Sequence, residues 1–186
     1  MKRRDGAPAG PAPPRVATRA DTEAIASLID ASVRGLGPPH YDAEQIESSL
    51  AHLFGVDTAM LDDGTYFVIE RDGEVVACGG WSRRRTAFGG DRATPYRDPA
   101  FRNPDKDAAV LRAFFVHPGH TRLGLGRLLV TAAEEAARDA GFRRFELVAT
   151  LPGLPLYREL GYREVEPLAV ELPDGVTIET VRMEKP

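Results

Sequence analysis

The sequence predicts an α/β fold, a single domain in which a sheet of mixed strand direction carries helices on both faces. Three observations carry that expectation. The 186 residues are 42% hydrophobic and 28% charged, an ordinary globular balance with enough apolar material for one core. The apolar pattern runs at helical spacing up to Leu53 and becomes β-branched and aromatic after Gly64. Beyond Asp107, apolar runs and helical stripes alternate, the order expected of strands crossing over through helices.

The elements follow in order. Residues 1–14 hold four prolines and no large apolar side chain after Met1, so they cannot bury enough surface to offset ordering and are expected to form a disordered tail. The domain is expected over 15–186. Arg15–Thr18 is a short strand candidate, and Asp21 is placed to cap a helix whose apolar positions are Ala24, Ile25, Leu28 and Ile29. The run Gly35-Leu36-Gly37-Pro38-Pro39 breaks it, and a second helix begins near Asp42 with Ile46, Leu50 and Leu53 on one face. Thr65–Glu70 and Glu74–Ser82 form a hairpin through Arg71-Asp72-Gly73, where Asp72 and Gly73 tolerate positive φ.

From Arg83 to Asp107 the chain is polar, aperiodic and basic, a connection long enough to suggest a functional or mobile loop. Ala108–Val116 is nearly continuously apolar and reads as a central strand buried on both faces. Gly124–Ala140 is a helix with a core stripe at Leu125, Leu128, Leu129, Ala132, Ala136 and Ala140, and a Glu134–Arg138 pair. Phe145–Ala149 is a further strand. A short helix at Leu154–Leu160 ends on Gly161, and the strands Tyr162–Val165 and Val176–Met183 complete a sheet of about seven.

Charge and composition exclude several classes of function. A net charge of −4 offers no bulk attraction to nucleic acid or an anionic membrane. No stretch approaches 18 consecutive apolar residues, and the amino-terminal segment lacks the apolar core of a secretion signal, so a cytoplasmic location is expected. The lone Cys78 cannot form an internal disulfide, and its apolar strand suggests an inert thiol. His117 and His120 flank a Pro-Gly turn rather than one helix face, so no metal site is expected.

The stretch Phe114–Arg127 carries the chemistry. A strand turns into a helix that opens on Gly124 and Gly126, with Arg122 and Arg127 beside them. Free amides at a helix start favour an anion, and glycine lets a phosphate approach the backbone. The third glycine of a dinucleotide fingerprint and the Gly-Lys-Ser/Thr of a P-loop are both absent.

Val116-His117-Pro118 followed by Gly124-x-Gly126 resembles the acetyl-CoA motif of the GNAT superfamily of N-acetyltransferases. Thr121 departs from it, standing where the family has Gln or Arg, with Arg122 one place later. Leu156-Tyr157-Arg158-Glu159-Leu160-Gly161-Tyr162 is similar to a second family segment, Leu-Tyr-x-x-x-Gly-Phe. The resemblance spans Val16 to Met183. It implies a sheet splayed between its fourth and fifth strands, with the pantetheine arm along backbone near Phe114 and Val116. The pyrophosphate would lie on the amides of Arg122, Leu123, Gly124, Leu125, Gly126 and Arg127. Tyr157 would be the general acid that meets the departing sulfur.

The implied reaction is transfer of acetyl from acetyl-CoA to a primary amine, small molecule or peptide, by direct attack in a ternary complex. The implied protein is a monomer or homodimer. No base is assigned; Asp107, His117, Glu146 and a relaying water stand as alternatives. A catalytically silent acetyl-CoA sensor is the principal rival reading, and a nucleotide-dependent oxidoreductase is the second.

Overall fold

The computed structural model describes residues 12–186. Most of the expected proline-rich tail therefore lies outside the described residues, and 12–14 carry no regular element. Seven strands form one sheet: β1 (Arg15–Val16), β2 (Tyr66–Arg71), β3 (Glu74–Ser82), β4 (Ala109–Val116), β5 (Phe145–Thr150), β6 (Arg163–Glu171) and β7 (Thr177–Lys185). Their spatial order is β1-β2-β3-β4-β5-β7-β6. Every pairing is antiparallel except β4 with β5, so the sheet is mixed and mostly antiparallel, as the sequence predicts.

Five α-helices complete the domain: α1 (Thr22–Leu36), α2 (Ala43–His52), α3 (Thr58–Asp62), α4 (Leu125–Asp139) and α5 (Leu154–Glu159). Strand alternation assigns the two long helices to opposite faces. Tyr66 and Val68 of β2 pack with Ile25, Leu28 and Ile29 of α1, whereas Ile69 packs with Leu125 and Leu129 of α4. Each such aliphatic side chain, fully withdrawn from water, contributes roughly 1.5–3 kcal/mol.

Several expectations are corrected in detail. The core face of α4 is Leu125, Gly126, Leu129, Val130, Ala133, Glu134 and Ala137. Leu128 is 39% exposed and Ala140 is exposed, while Ala132 and Ala136 are only half-buried. An alanine-rich helix has apolar residues on several faces, and its contact with β3 and β4 selects the row spaced by four from Leu125. Asp21 sits at the N-cap position of α1, but its carboxylate accepts from Thr18 N–H at 2.7 Å and pairs with Arg15 at 2.7 Å. That guanidinium, with the Thr18 bonds, holds the Asp21 carboxyl at about 2.

β1 spans only two residues, and β6 runs six residues beyond Val165. As an edge strand it is largely exposed and carries Pro167, which hides it from an apolar pattern. Only the first half of β4 is buried on both faces; Ala113–Val116 are half-buried because β5 leaves them. The short α3 carries no long apolar stripe and is marked in the sequence only by Asp57, whose side chain caps it by accepting from Met60 N–H at 3.2 Å.

The basic loop 83–107 is pinned rather than loose. Arg84 pairs with Asp63 at 2.7 Å, Arg102 with Glu146 at 2.6 Å, and Arg97 with Asp57 at 3.3 Å. Arg92 donates to the Leu50 carbonyl at 2.6 Å, and the Arg83 guanidinium stacks 4.7 Å from the centroid of Phe101. Its cations are largely spent on holding the loop over the sheet.

Candidate active site

β4 and β5 pair only through Ala109↔Phe145 and Val110↔Glu146, then diverge. The backbone of β4 changes sides in the same place. Ala109 N–H donates to Arg144 O, on the β5 side, at 2.8 Å. His117 N–H, eight residues later and so of the same strand parity, donates to Val76 O, on the β3 side, at 2.9 Å.

The switch is made by a bulge. Between the pairs Gly80↔Arg112 and Cys78↔Phe115, β4 spends one residue more than β3, and Ala113 takes φ 61°. From there on Phe115 and His117 face β3, so the backbone groups of Phe114 and Val116 face the gap. A non-glycine residue in the left-handed region costs about 1 kcal/mol or more. Here it turns two residues' backbone groups into an opening where β5 supplies no partner.

The glycine turn closes one end of the gap. Arg122 and Gly124 both adopt left-handed backbone, φ 65° and 77°, and α4 starts at Leu125. Among the described residues no backbone carbonyl accepts from the amides of 122–127. Such a turn at a helix start directs several N–H groups to one concave side, a fit for a pyrophosphate. Gly126 faces α5: a β-carbon there would stand 2.8 Å from Leu156 Cδ2. Arg127 pairs with Glu159 at 3.0 Å across the mouth, both half-exposed or more, so the pair is weak and can be exchanged for a phosphate.

A cleft of about 640 Å³ occupies the gap. Phe114, Val116, Arg122, Gly124, Leu125, Gly126, Arg127 and Tyr157 all line it, which gathers eight of the nine predicted site residues. Leu123 is the exception: its side chain is 45% exposed and does not line the cleft, so it belongs to the turn through its backbone only. Another wall is largely apolar and comes from the first two helices, their connection and the residues just after α2, including Val33, Leu36, Tyr41, Ile46 and Phe54. The Tyr41 hydroxyl donates to Glu179 O at 2.7 Å and accepts from Leu151 N–H at 2.9 Å, joining three segments around the opening.

Tyr157 stands where the cleft meets a second, smaller cavity of about 70 Å³, and lines both. Its ring lies edge-to-face against Phe114 (6.4 Å between centroids) and Tyr162 (5.9 Å). Its hydroxyl makes no hydrogen bond among the described residues, and burial pushes its pKa well above the ordinary phenol value. Tyr162, by contrast, donates to Glu134 at 2.9 Å, and Glu134 also holds Lys185 at 2.8 Å and Arg138 at 2.9 Å. One tyrosine is tied into the fold and the other is left free at the cleft.

None of the three proposed bases lines either cavity. Asp107 accepts from Asn103 N–H at 2.7 Å, Glu146 is engaged by Arg102, and His117 Nδ1 accepts from Gly119 N–H at 3.1 Å. His120 lines the cleft next to the glycine turn, and its buried Nδ1 has no partner among the described residues. Cys78 is fully buried, 3.4 Å from the Tyr66 hydroxyl, and burial raises its thiol to about 12, so it holds no thiolate for covalent chemistry. Among the described residues no cluster of three or more His, Cys, Asp or Glu could hold a metal, and no helix is long and apolar enough to cross a membrane.

The residues sequence reasoning missed lie on the other side of Tyr157. Arg112, embedded in the apolar β4, pairs with the buried Asp57 at 2.6 Å and donates to Thr86 O at 2.9 Å. One cation inside an otherwise apolar central strand was the available signal, because a buried charge demands a partner.

Solved structures share the fold across nearly the whole chain. A GCN5-related N-acetyltransferase from Rhodopseudomonas palustris superposes with a TM-score of 0.70 at 20% identity, over 97% of this chain and 98% of that one. The PaiA N-acetyltransferase of Thermoplasma acidophilum, in complex with coenzyme A, gives 0.61 at 14% identity over 92% and 96%. Salmonella typhimurium yncA, with its cofactor acetyl-CoA, gives 0.61 at 18% identity over 95% and 94%. No curated protein matches in sequence. The acetyltransferase (GNAT) family profile matches residues 25–162, spanning α1 through α5 with the bulged strand, the glycine turn and Tyr157, and the chain belongs to that family.

Proposed function

We propose that the protein transfers acetyl from acetyl-CoA to a primary amine by direct attack in a ternary complex, with Tyr157 as general acid. The observation that carries this is the pairing of the β4 bulge with Tyr157. The bulge directs the backbone of Phe114 and Val116 into the gap, and an unpartnered buried phenol stands at the gap's inner end. Two structural neighbours, solved with coenzyme A and acetyl-CoA, support the choice of donor.

The chain's own groups divide the work. The amides of 122–127 with Arg122 and Arg127 take the pyrophosphate, and β4 backbone takes the pantetheine arm and the acetyl carbonyl. The amine nitrogen bonds to the carbonyl carbon and the carbon–sulfur bond breaks. Sulfur then takes the Tyr157 proton, and the proton shed by nitrogen leaves through water to restore the phenol. Desolvation raises thiolate and phenol basicity together, which keeps donor and acceptor matched.

Thiol release from acetyl-CoA across a panel of amines tests the reading. Coenzyme binding with no turnover on any amine would favour the silent sensor, and tight NAD binding without affinity for acetyl-CoA would favour an oxidoreductase.

Two expectations follow from the geometry. The one carboxylate among the residues lining the cleft, Glu159, is paired with Arg127, so the amine must arrive neutral or lose its proton to water. The apparent kcat/KM should therefore rise about tenfold per pH unit until the acceptor's own pKa. A plateau beginning below pH ~7, independent of which amine is used, would reveal a protein base instead. Gly126→Val should push Leu156 into the cleft. Coenzyme affinity is expected to fall about tenfold, ~1.4 kcal/mol within the ~1–3 kcal/mol range of overpacking, as read by calorimetric titration. Unchanged affinity would remove Gly126 from the binding turn.

A further inference from the structure

The smaller cavity beyond Tyr157, about 70 Å³, is too small for an acceptor, so the amine shares the cleft of about 640 Å³ with the pantetheine arm. That larger volume lies in the ~300–1,000 Å³ range of sites that bury a drug-sized molecule. On the reading above, the coenzyme takes β4 and the glycine turn. What remains is the wall built by α1, α2, the residues just after α2, and β7: Val33, Leu36, Tyr41, Ile46, Phe54 and Ile178.

This wall reaches Tyr157. Phe54 lines both cavities, as Tyr157 does, and stands edge-to-face with Phe115 at 5.7 Å. The Tyr41 hydroxyl accepts from Leu151 N–H at 2.9 Å, just past the end of β5. Two residues on, a β-carbon at Gly153 would stand 2.9 Å from the Tyr157 ring. A molecule seated on the wall can therefore present its amine at the Tyr157 end of the cleft.

The wall offers a ligand no charge. The charged residues lining the cleft are Arg122, Arg127 and Glu159, from the glycine turn, α4 and α5, and Glu159 is paired with Arg127 at 3.0 Å. Two of the wall's hydroxyls are already committed: Tyr41 donates to Glu179 O at 2.7 Å and Ser49 to Ile46 O at 2.8 Å. A second ammonium or a carboxylate on the acceptor would leave water here without a counter-charge, at a cost in free energy. An alkyl or aryl body gains by the same burial.

We propose that this wall is the acceptor subsite, and that the acceptor is a primary amine with an apolar alkyl or aryl body and no second charge. The inference rests on the acetyltransferase reading above and names its substrate class.

The test is calorimetric titration of the protein saturated with coenzyme A. The probes are butylamine, pentylamine, hexylamine and phenethylamine, with hexamethylenediamine, aminocaproate and an alanine-led hexapeptide as the charged and peptide counterparts. Affinity should rise about fourfold with each methylene from butylamine to hexylamine, the worth of one buried methylene. Hexylamine should bind about tenfold or more tighter than the diamine or the amino acid of like length. Val33 is half-buried on the wall, and Val33→Asp places a carboxylate there, which should bring the ratio of hexylamine to diamine affinity to one or below.

If the variant does not fold, the wild-type series alone decides. Affinity that stays flat with chain length, equal or tighter binding of the diamine, aminocaproate or the peptide, or no monoamine binding would each overturn the proposal. Binding needs no turnover, so the two readings fail separately. Monoamines that bind in the expected series without thiol release from acetyl-CoA leave the subsite and sink the transferase. Thiol release with the diamine or the peptide and no preference for monoamines does the reverse.

Discussion

Tyr157→Phe should lower kcat by about a hundredfold or more while leaving the dissociation constant of acetyl-CoA unchanged, because general-acid groups contribute ~10²–10⁴. The substitution is unusually clean. The Tyr157 hydroxyl has no hydrogen-bond partner among the described residues, so its removal orphans no buried group. The ring contacts with Phe114 and Tyr162 are kept. Stability should hold within ~0.5 kcal/mol by urea denaturation, so the loss cannot be blamed on folding.

Burial disfavours the phenolate, so the folded phenol stays protonated well past the ordinary tyrosine range. Any alkaline fall in the wild-type profile must then come from another group, and the variant should keep the same profile shape at its lower rate. Full activity in Tyr157→Phe would remove the tyrosine from the chemistry. Tyr162→Phe is the contrasting control: it breaks a bond to buried Glu134 and should cost stability first.

What could be read from the sequence divides along a physical line. Local signals survived: the Asp72-Gly73 turn lies at positive φ in the hairpin β2–β3, and Gly124 lies at positive φ at the start of α4. Backbone chemistry of this kind is written in the residues that adopt it. The phase of α4 was not, because alanine on several faces leaves the buried row to be chosen by the sheet it meets. The bulge at Ala113 was equally silent, since alanine gives no hint of a left-handed conformation imposed by strand register. The Asp57–Arg112 pair joins residues 55 positions apart, and neither has a neighbour in sequence that announces the other. Motifs therefore drew attention to the glycine turn and Tyr157, while the smaller cavity beyond Tyr157, assembled from long-range contacts, required coordinates.

That buried pair yields the largest effect expected on folding. Asp57 is almost wholly buried, with one carboxylate oxygen 2.6 Å from Arg112 and the other 3.3 Å from Arg97, and it caps α3. Asp57→Ala leaves the buried Arg112 guanidinium beside the half-buried Arg97 without the anion they share. Breaking a buried ion pair from one side costs about 3–5 kcal/mol. For a domain of this size that corresponds to a fall in Tm of about 6–20 °C. Removing the exposed Arg127–Glu159 pair instead, by Glu159→Ala, should cost less than ~1 kcal/mol.

The cost of Asp57→Ala comes from an uncompensated charge rather than from lost attraction. The double variant Asp57→Leu with Arg112→Met should therefore recover much of the stability lost in the single variant. It should not recover function in parallel. Arg112 also holds the carbonyls of Thr86 and Gly89, so the loop over the smaller cavity loses an anchor in the double variant. On the proposed reading, KM for the amine should then rise while affinity for acetyl-CoA stays close to wild type. A single Asp57→Ala that lowers stability by less than ~1 kcal/mol would show that water reaches the pair, and that the buried-charge account of this corner of the fold is wrong.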